Sequence, residues 1–195
     1  MRILLCLIAA LLWASSAEAA QRMRPYSGIG VLAISTIGLT DAIPYYNEPG
    51  LVRSGMLAPE AAQHLNDWIF DVPDRLLLLV KARKGEWLRV ERDEAGRESW
   101  LLQQRHWQYT PWAQYLKGRY VTFLPNSPKR LMQTVPQPNA LQGVPRAAQS
   151  PPMRIIMVQG DWAYVLLDQS SSAWIRWRES DSRLLIGFRE ESTRP

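Results

Sequence analysis

One pattern occurs twice in this 195-residue chain and constrains its fold more than any other feature. Residues 84–101, KGEWLRVERDEAGRESWL, return as residues 159–175, QGDWAYVLLDQSSSAWI. Gly85-Glu86-Trp87 matches Gly160-Asp161-Trp162, Val90 matches Val165, and Trp100 matches Trp174 after a one-residue gap. Each copy reads as a strand, a polar turn and a second strand. Asp93-Glu94-Ala95-Gly96 holds the Asp and Gly that reverse a backbone, and Ser170-Ser171-Ser172 takes that place in the second copy. At a period of two, Leu88 and Val90 share one face, and Trp87, Arg89 and Glu91 share the other. In the second copy Ala163, Val165 and Leu167 oppose Trp162, Tyr164 and Leu166. The hairpin tryptophan therefore lies opposite the core-type residues in both copies.

The repeat extends upstream. Residues 28–40, GIGVLAISTIGLT, are apolar and β-branched, too short to span a bilayer, and read as a buried strand. Residues 118–124, GRYVTFL, are its expected counterpart, with Gly30 matched to Gly118. The stretch 133–152 carries Pro136, Pro138, Pro145, Pro151 and Pro152 and resembles a linker. A domain beginning at Met153 would be too short to fold without staples, so the second unit must reach back to Gly118. In the first unit the same loop holds a helix over 58–70. Pro59 suits its first turn, and Ala61, Leu65, Trp68 and Ile69 make its apolar face. A strand follows over 75–84, with the apolar run 76–80. Thr110-Pro111 opens a short helix through Trp112, Tyr115 and Leu116. The expected layout is a targeting segment over 1–19, a first domain over 27–109, a joint helix over 110–117 and a second domain over 118–190.

Gly–acid–Trp, then Val, a polar turn, and Trp followed by an aliphatic residue is similar to the core of bacterial SH3-like (SH3b) domains. The family's opening strand often ends in an aromatic and a Pro-Gly or Pro-Asn step. Ile43-Pro44-Tyr45-Tyr46-Asn47-Glu48-Pro49-Gly50 resembles that, and Thr134-Val135-Pro136-Gln137-Pro138-Asn139 echoes it. Both copies depart from the family at Ser99 and Ala173, where glycine is usual. The resemblance implies a mainly β fold: two small SH3-like barrels in tandem, with a helical insertion in the first and a short helix at the joint.

Arg2, the apolar run 3–14 and Ala17-Glu18-Ala19 have the layout of a secretory signal cleaved after Ala19 or Ala20. Cys6, the only cysteine, leaves with it. The mature chain then has no disulfide, thiolate metal site or cysteine nucleophile. The net charge of +5 is unchanged by cleavage, because Arg2 and Glu18 depart together. It favours anionic neighbours such as wall polymers, lipopolysaccharide or phospholipid head groups. Nucleic acid is not expected as a partner, since export separates the two and Lys and Arg are scattered. No membrane span is expected after cleavage. The expected compartment is the periplasm, with secretion as the alternative.

Catalysis has little to stand on. The Gly-x-Ser-x-Gly, His-Glu-x-x-His and phosphate-loop patterns are absent, and His64 lacks the company a metal site needs. No cofactor is expected. A cell-wall hydrolase would need a carboxylate pair, but Glu86, Glu91, Asp93, Glu94 and Glu98 lie in a charged hairpin where solvation explains them. The candidate ligand-binding residues are Tyr45, Tyr46, Trp87, Trp100, Trp162 and Trp174. The resemblance implies a non-catalytic envelope module that recognises peptidoglycan peptide or an extended protein segment. The alternative is a structural adaptor whose aromatics all pack internally, with no small-ligand groove, and which works through the surface of an envelope protein partner. His106, Trp107, Tyr109, Trp112 and Tyr115 cluster at the joint, either as glue between the units or as a shelf for sugars.

Overall fold

The duplicated pattern becomes two hairpins of one design. They are seen in a computed structural model of the chain, which describes residues 23–125, 127, 132–136, 143–144, 152–167 and 171–189. The targeting segment read over 1–19 lies outside the described residues, as does much of the proline-rich stretch. In the first half, β1 (Gly30–Ser35), β2 (Ile43–Tyr46), β3 (Arg53–Leu57), β5 (Arg75–Lys84), β6 (Trp87–Glu91), β7 (Glu98–Leu102) and β8 (Gln108–Pro111) form a sheet. Its order is β3-β2-β7-β6-β5-β1-β8. Between β3 and β5 lie α1 (Pro59–Asn66) and the two-residue strand β4 (Phe70–Asp71). After α2 (Trp112–Tyr115) come β9 (Tyr120–Phe123), β10 (Met132–Gln133), β11 (Gly143–Val144), β12 (Met153–Gln159), β13 (Trp162–Leu166), β14 (Ser172–Arg176) and β15 (Ile186–Arg189). The second sheet runs β11-β10-β14-β13-β12-β9-β15 and ends on β4 from the first half.

Strand for strand, the second order repeats the first, and the repeat holds at single hydrogen bonds. Ile29 N donates to Val80 O at 2.7 Å, and Gly118 N donates to Ile155 O at 2.8 Å. Gln103 N donates to Glu86 O at 2.9 Å, and Trp177 N donates to Asp161 O at 3.1 Å. The β5–β6 ladder slips at Lys81 and the β12–β13 ladder slips at the matching Ile156. Gly118 thus corresponds to Ile29, one residue from the glycine expected. The two glycines answer different needs. A Cβ on Gly30 would strike Thr110 O across the β1–β8 contact, whereas Gly118 takes a φ of 79° after α2. Among the described residues no ladder joins the two edges of either sheet, so the closed barrels expected from the sequence are not found. The second sheet's far edge is instead occupied by β4, which runs parallel to β15.

The apolar run 76–80 is buried throughout because it serves two cores. Leu76, Leu78 and Val80 join Leu32, Ile34, Leu88, Val90 and Leu101 in the core of the first half. Leu77 and Leu79, together with Val31, face the other way into a core shared with Val121, Ile155, Val165, Ile175 and Phe188 of the second half. Strands covered on both faces read as continuous apolar stretches rather than as alternation. The inner face of the second sheet therefore lies on the outer face of the first.

Three other expectations change. The helix ends at Asn66 rather than Phe70, and its buried residues are Ala62 and Asn66 while Ala61 is exposed. Asn66 sits inward because its Nδ2 donates to Leu77 O at 3.1 Å, which lets a polar side chain occupy a core position. Thr110 and Pro111 are the last two residues of β8, and Pro111, not Thr110, stands at the N-cap of α2. The aromatic group at the joint divides. Trp112 and Tyr115 enter the shared core, where Trp112 stacks on Phe188 at 5.8 Å and Phe188 stacks on Phe70 at 5.0 Å. Trp107 enters the first core, His106 stays exposed, and Tyr109 lies half-buried under Arg83 at 5.2 Å. No common shelf remains. Burial pushes the Tyr115 hydroxyl up to about 12, against the nearby charges of Arg119 and Arg75.

Candidate functional site

Three of the six candidate residues meet on the outer face of the first sheet. The tight turn at Gly85, with φ 61°, places Trp87 first in β6, opposite Leu102 of β7. Trp100 stands on β7 opposite both Arg89 and Tyr46. Tyr46 comes from β2, and its ring meets Trp87 edge-on with centroids 4.9 Å apart. Such a pair adds about 0.5–1.5 kcal/mol beyond the area it buries. Arg89 lies over the Trp100 ring at 5.7 Å and reaches Glu98 at 3.0 Å. All three aromatics are half-buried, so their faces are partly open to solvent. Beside them the β2–β3 hairpin exposes Leu51 at 63% and Val52 at 87%.

Tyr45 does not join this group. Consecutive strand residues point to opposite faces, and Tyr45 packs against the first core. Its hydroxyl and ring occupy the space where Gly55 lacks a Cβ. Arg92 holds it from the other side, donating from Nη1 to the hydroxyl at 2.7 Å with the guanidinium 4.9 Å from the ring centre. The roles of Arg89 and Arg92 were not foreseen, although Arg89 shares a face with Trp87 by simple alternation. An Arg two residues from a Trp on a strand is a legible sign of cation–π pairing when the partner strand also carries an aromatic.

Trp162 and Trp174 take the corresponding places in the second sheet. Trp162 follows the Gly160 turn and faces Arg176, and Trp174 stands opposite Tyr164 and Gln133. Their surroundings differ from those of the first copy. Trp162 is only 9% exposed, covered by the Arg176 guanidinium at 5.4 Å. Trp174 lies 5.3 Å from Tyr164 at a tilt of 47°, where the first copy has the Arg89–Trp100 pair.

Of the hairpin carboxylates, Glu91, Asp93 and Glu98 are engaged in ion pairs. Glu91 meets Lys81 at 2.7 Å, and Asp93 accepts from Arg97 Nε at 2.7 Å and from Arg97 N at 3.1 Å. Desolvation pushes the Asp93 carboxyl up, but the Arg97 backbone N–H and the charges of Arg97 and Arg92 outweigh it and hold the group below the ordinary aspartate value. Among the described residues there is no group of three or more His, Cys, Asp or Glu arranged to hold a metal ion. Nor is any described helix long and apolar enough to cross a membrane. A cleft of about 620 Å³ opens elsewhere, between Asp67, Asp71, Pro152 and Arg189, and none of the six candidates lines it.

No protein-family model matches this sequence, and neither a curated protein nor a solved structure is detectably similar to it.

Proposed function

We propose that the chain is a non-catalytic module of the bacterial cell envelope, built from two SH3-like units. Its first unit takes peptidoglycan peptide or another extended segment against Tyr46, Trp87 and Trp100. One observation carries this reading: the half-exposed Tyr46–Trp87 pair, at 4.9 Å, beside a hairpin tip with two exposed apolar residues. Aromatic faces bounded by Arg89 and Glu98 suit an extended ligand that offers both apolar and charged groups. The SH3-like assignment is supported by the repeated strand order and by the hairpin that each unit inserts between its first strand and its central hairpin. Export to the periplasm rests on the leader-like composition of residues 1–19.

The test is co-sedimentation of the full chain with purified sacculi at moderate salt. Trp87→Ala should abolish pelleting while the thermal midpoint moves little, because Trp87 lies outside both cores. Undiminished pelleting of that variant overturns the site. The shared core between the units favours a second reading, an adaptor that offers a protein partner one rigid surface. On that reading, sacculi fail to retain even the unaltered chain.

A further inference from the structure

Comparison of matched positions on the outer faces of the two sheets shows a systematic exchange. In the first copy Lys81 and Glu91 form an ion pair at 2.7 Å, and the matching residues of the second copy are Ile156 and Leu166, exposed at 39% and 38%. In the first copy Arg89 and Glu98 pair at 3.0 Å. Their counterparts are Tyr164 and Ser172, whose oxygens lie 2.6 Å apart. Ala82 becomes Met157, exposed at 49%. Leu79, buried in the shared core, becomes Arg154, which is exposed. Both acids on this part of the face are gone, and apolar or aromatic side chains stand where ion pairs stood.

The ladders place the new residues side by side. Tyr120, Arg154, Leu166 and Ser172 form one row across β9, β12, β13 and β14. Met157, Tyr164, Trp174 and Gln133 form the next, and Gln159, Trp162 and Arg176 a third. These rows hold arginines and no carboxylate. Beyond Tyr120, Asp71 is neutralised by Arg189 at 2.7 Å. The surrounding charge agrees. Residues 112–189 contain ten Lys and Arg against four Asp and Glu, whereas residues 27–111 contain nine against eleven.

We infer that the outer face of the second sheet, across β12, β13 and β14, is a docking surface for an anionic phospholipid bilayer. Arginines answer lipid phosphates, and Tyr164 and Trp174 suit the interfacial zone, where one end of an aromatic is apolar and the other wet. Ile156, Met157 and Leu166 are the components that a soluble polyanion would not use, and they decide for a membrane surface over an acidic polymer. Contact is peripheral and adds to the proposed ligand site on the first sheet without depending on it.

The test is sedimentation of the full chain with phosphatidylcholine vesicles, with and without phosphatidylglycerol. An apolar N-terminal run would enter both kinds, and Arg2, Arg22 and Arg24 beside it would also favour the anionic one, so the substitutions on the face, rather than the vesicle difference alone, isolate it. The anionic vesicles should bind more chain, and Arg154→Gln should weaken that excess about fivefold. The double variant Met157→Ser with Leu166→Ser, at solvent-exposed positions where folding is retained, should weaken it about tenfold. Brominated acyl chains should quench tryptophan emission in the unaltered chain and quench it less in Trp174→Phe. Equal uptake by the two vesicle types overturns the inference, as does anionic binding that the double variant leaves intact. Quenching unchanged in Trp174→Phe also overturns it.

Discussion

Leu79→Ala tests whether the two halves are one cooperative unit. Leu79 is 1% exposed and belongs to the first sheet, yet the core it joins is drawn largely from the second half, with Val121, Ile155 and Phe188 among its members. Truncating a buried leucine costs about 2–5 kcal/mol through lost transfer energy and the cavity left behind. The middle of that range, about 3 kcal/mol, is the expectation for a leucine this fully buried. For a chain of this size that lowers the thermal midpoint by about 6–12 °C. The control is Leu78→Ala, one residue away, fully buried and confined to the first core. Both variants should unfold in a single transition, with far-ultraviolet and near-ultraviolet circular dichroism coincident. Hydrogen exchange should separate them: Leu79→Ala lowers protection at Ile186–Arg189 under native conditions more than Leu78→Ala does. Two resolved transitions in Leu79→Ala, with protection of β15 unchanged, would refute the shared core as the source of cooperativity.

Two further outcomes follow from single residues. The Tyr115 hydroxyl titrates near 12 in the folded chain and near 10 when unfolded, so its stabilisation is complete below pH 10 and is lost as pH rises from there towards 12. Unfolding free energies from urea titrations should fall by about 1.4 kcal/mol per pH unit in that window, and Tyr115→Phe should remove this part of the slope. Gly28→Ala should cost more than about 2 kcal/mol by denaturant unfolding, because φ is 64° and a Cβ would overlap Val80 O. Gly38→Ala, with φ 74° and open space around it, should cost only about 1 kcal/mol, and equal losses at the two positions would show that the close approach to Val80 is immaterial.

The hairpins were legible because their signal is local: a tight glycine turn, alternation at period two and a reversing Asp-x-x-Gly. The strand Arg75–Lys84 was legible as well, but not what covers it. A run of apolar residues states that both faces are buried and is silent about which partner covers each. Leu77 and Leu79 could not be assigned to a second core before the halves were brought together. The pairing of β4 with β15 was beyond reach for a similar reason. Phe70–Asp71 is two residues long, and its partner lies more than a hundred positions away, so no periodicity marks it. At the site, Tyr46, Trp87 and Trp100 could be named from the pattern, whereas the inward turn of Tyr45 required the ladder register that sets it against Gly55. Trp162 and Trp87 look alike in sequence. What separates them is the cover that Arg176 provides from the next strand.

The same matched positions make the outer face of the second sheet a poor seat for another unit of this kind. The first sheet presents Val31, Leu77 and Leu79 outward, and the second unit buries them. The residues matching Val31 and Leu79 in the second sheet are Tyr120 and Arg154, paired across β9 and β12. A third unit seated there would have to strip water from the Arg154 guanidinium and offer it an acid, a demand that the leucine of the first copy does not make. Divergence at these positions and divergence at the Lys81–Glu91 pair occur on one face of one sheet. A surface that only needed to disfavour another unit would be served by charge and polarity alone. Ile156, Met157 and Leu166 go against that requirement, and an apolar surface kept open beside arginines needs a partner that rewards both.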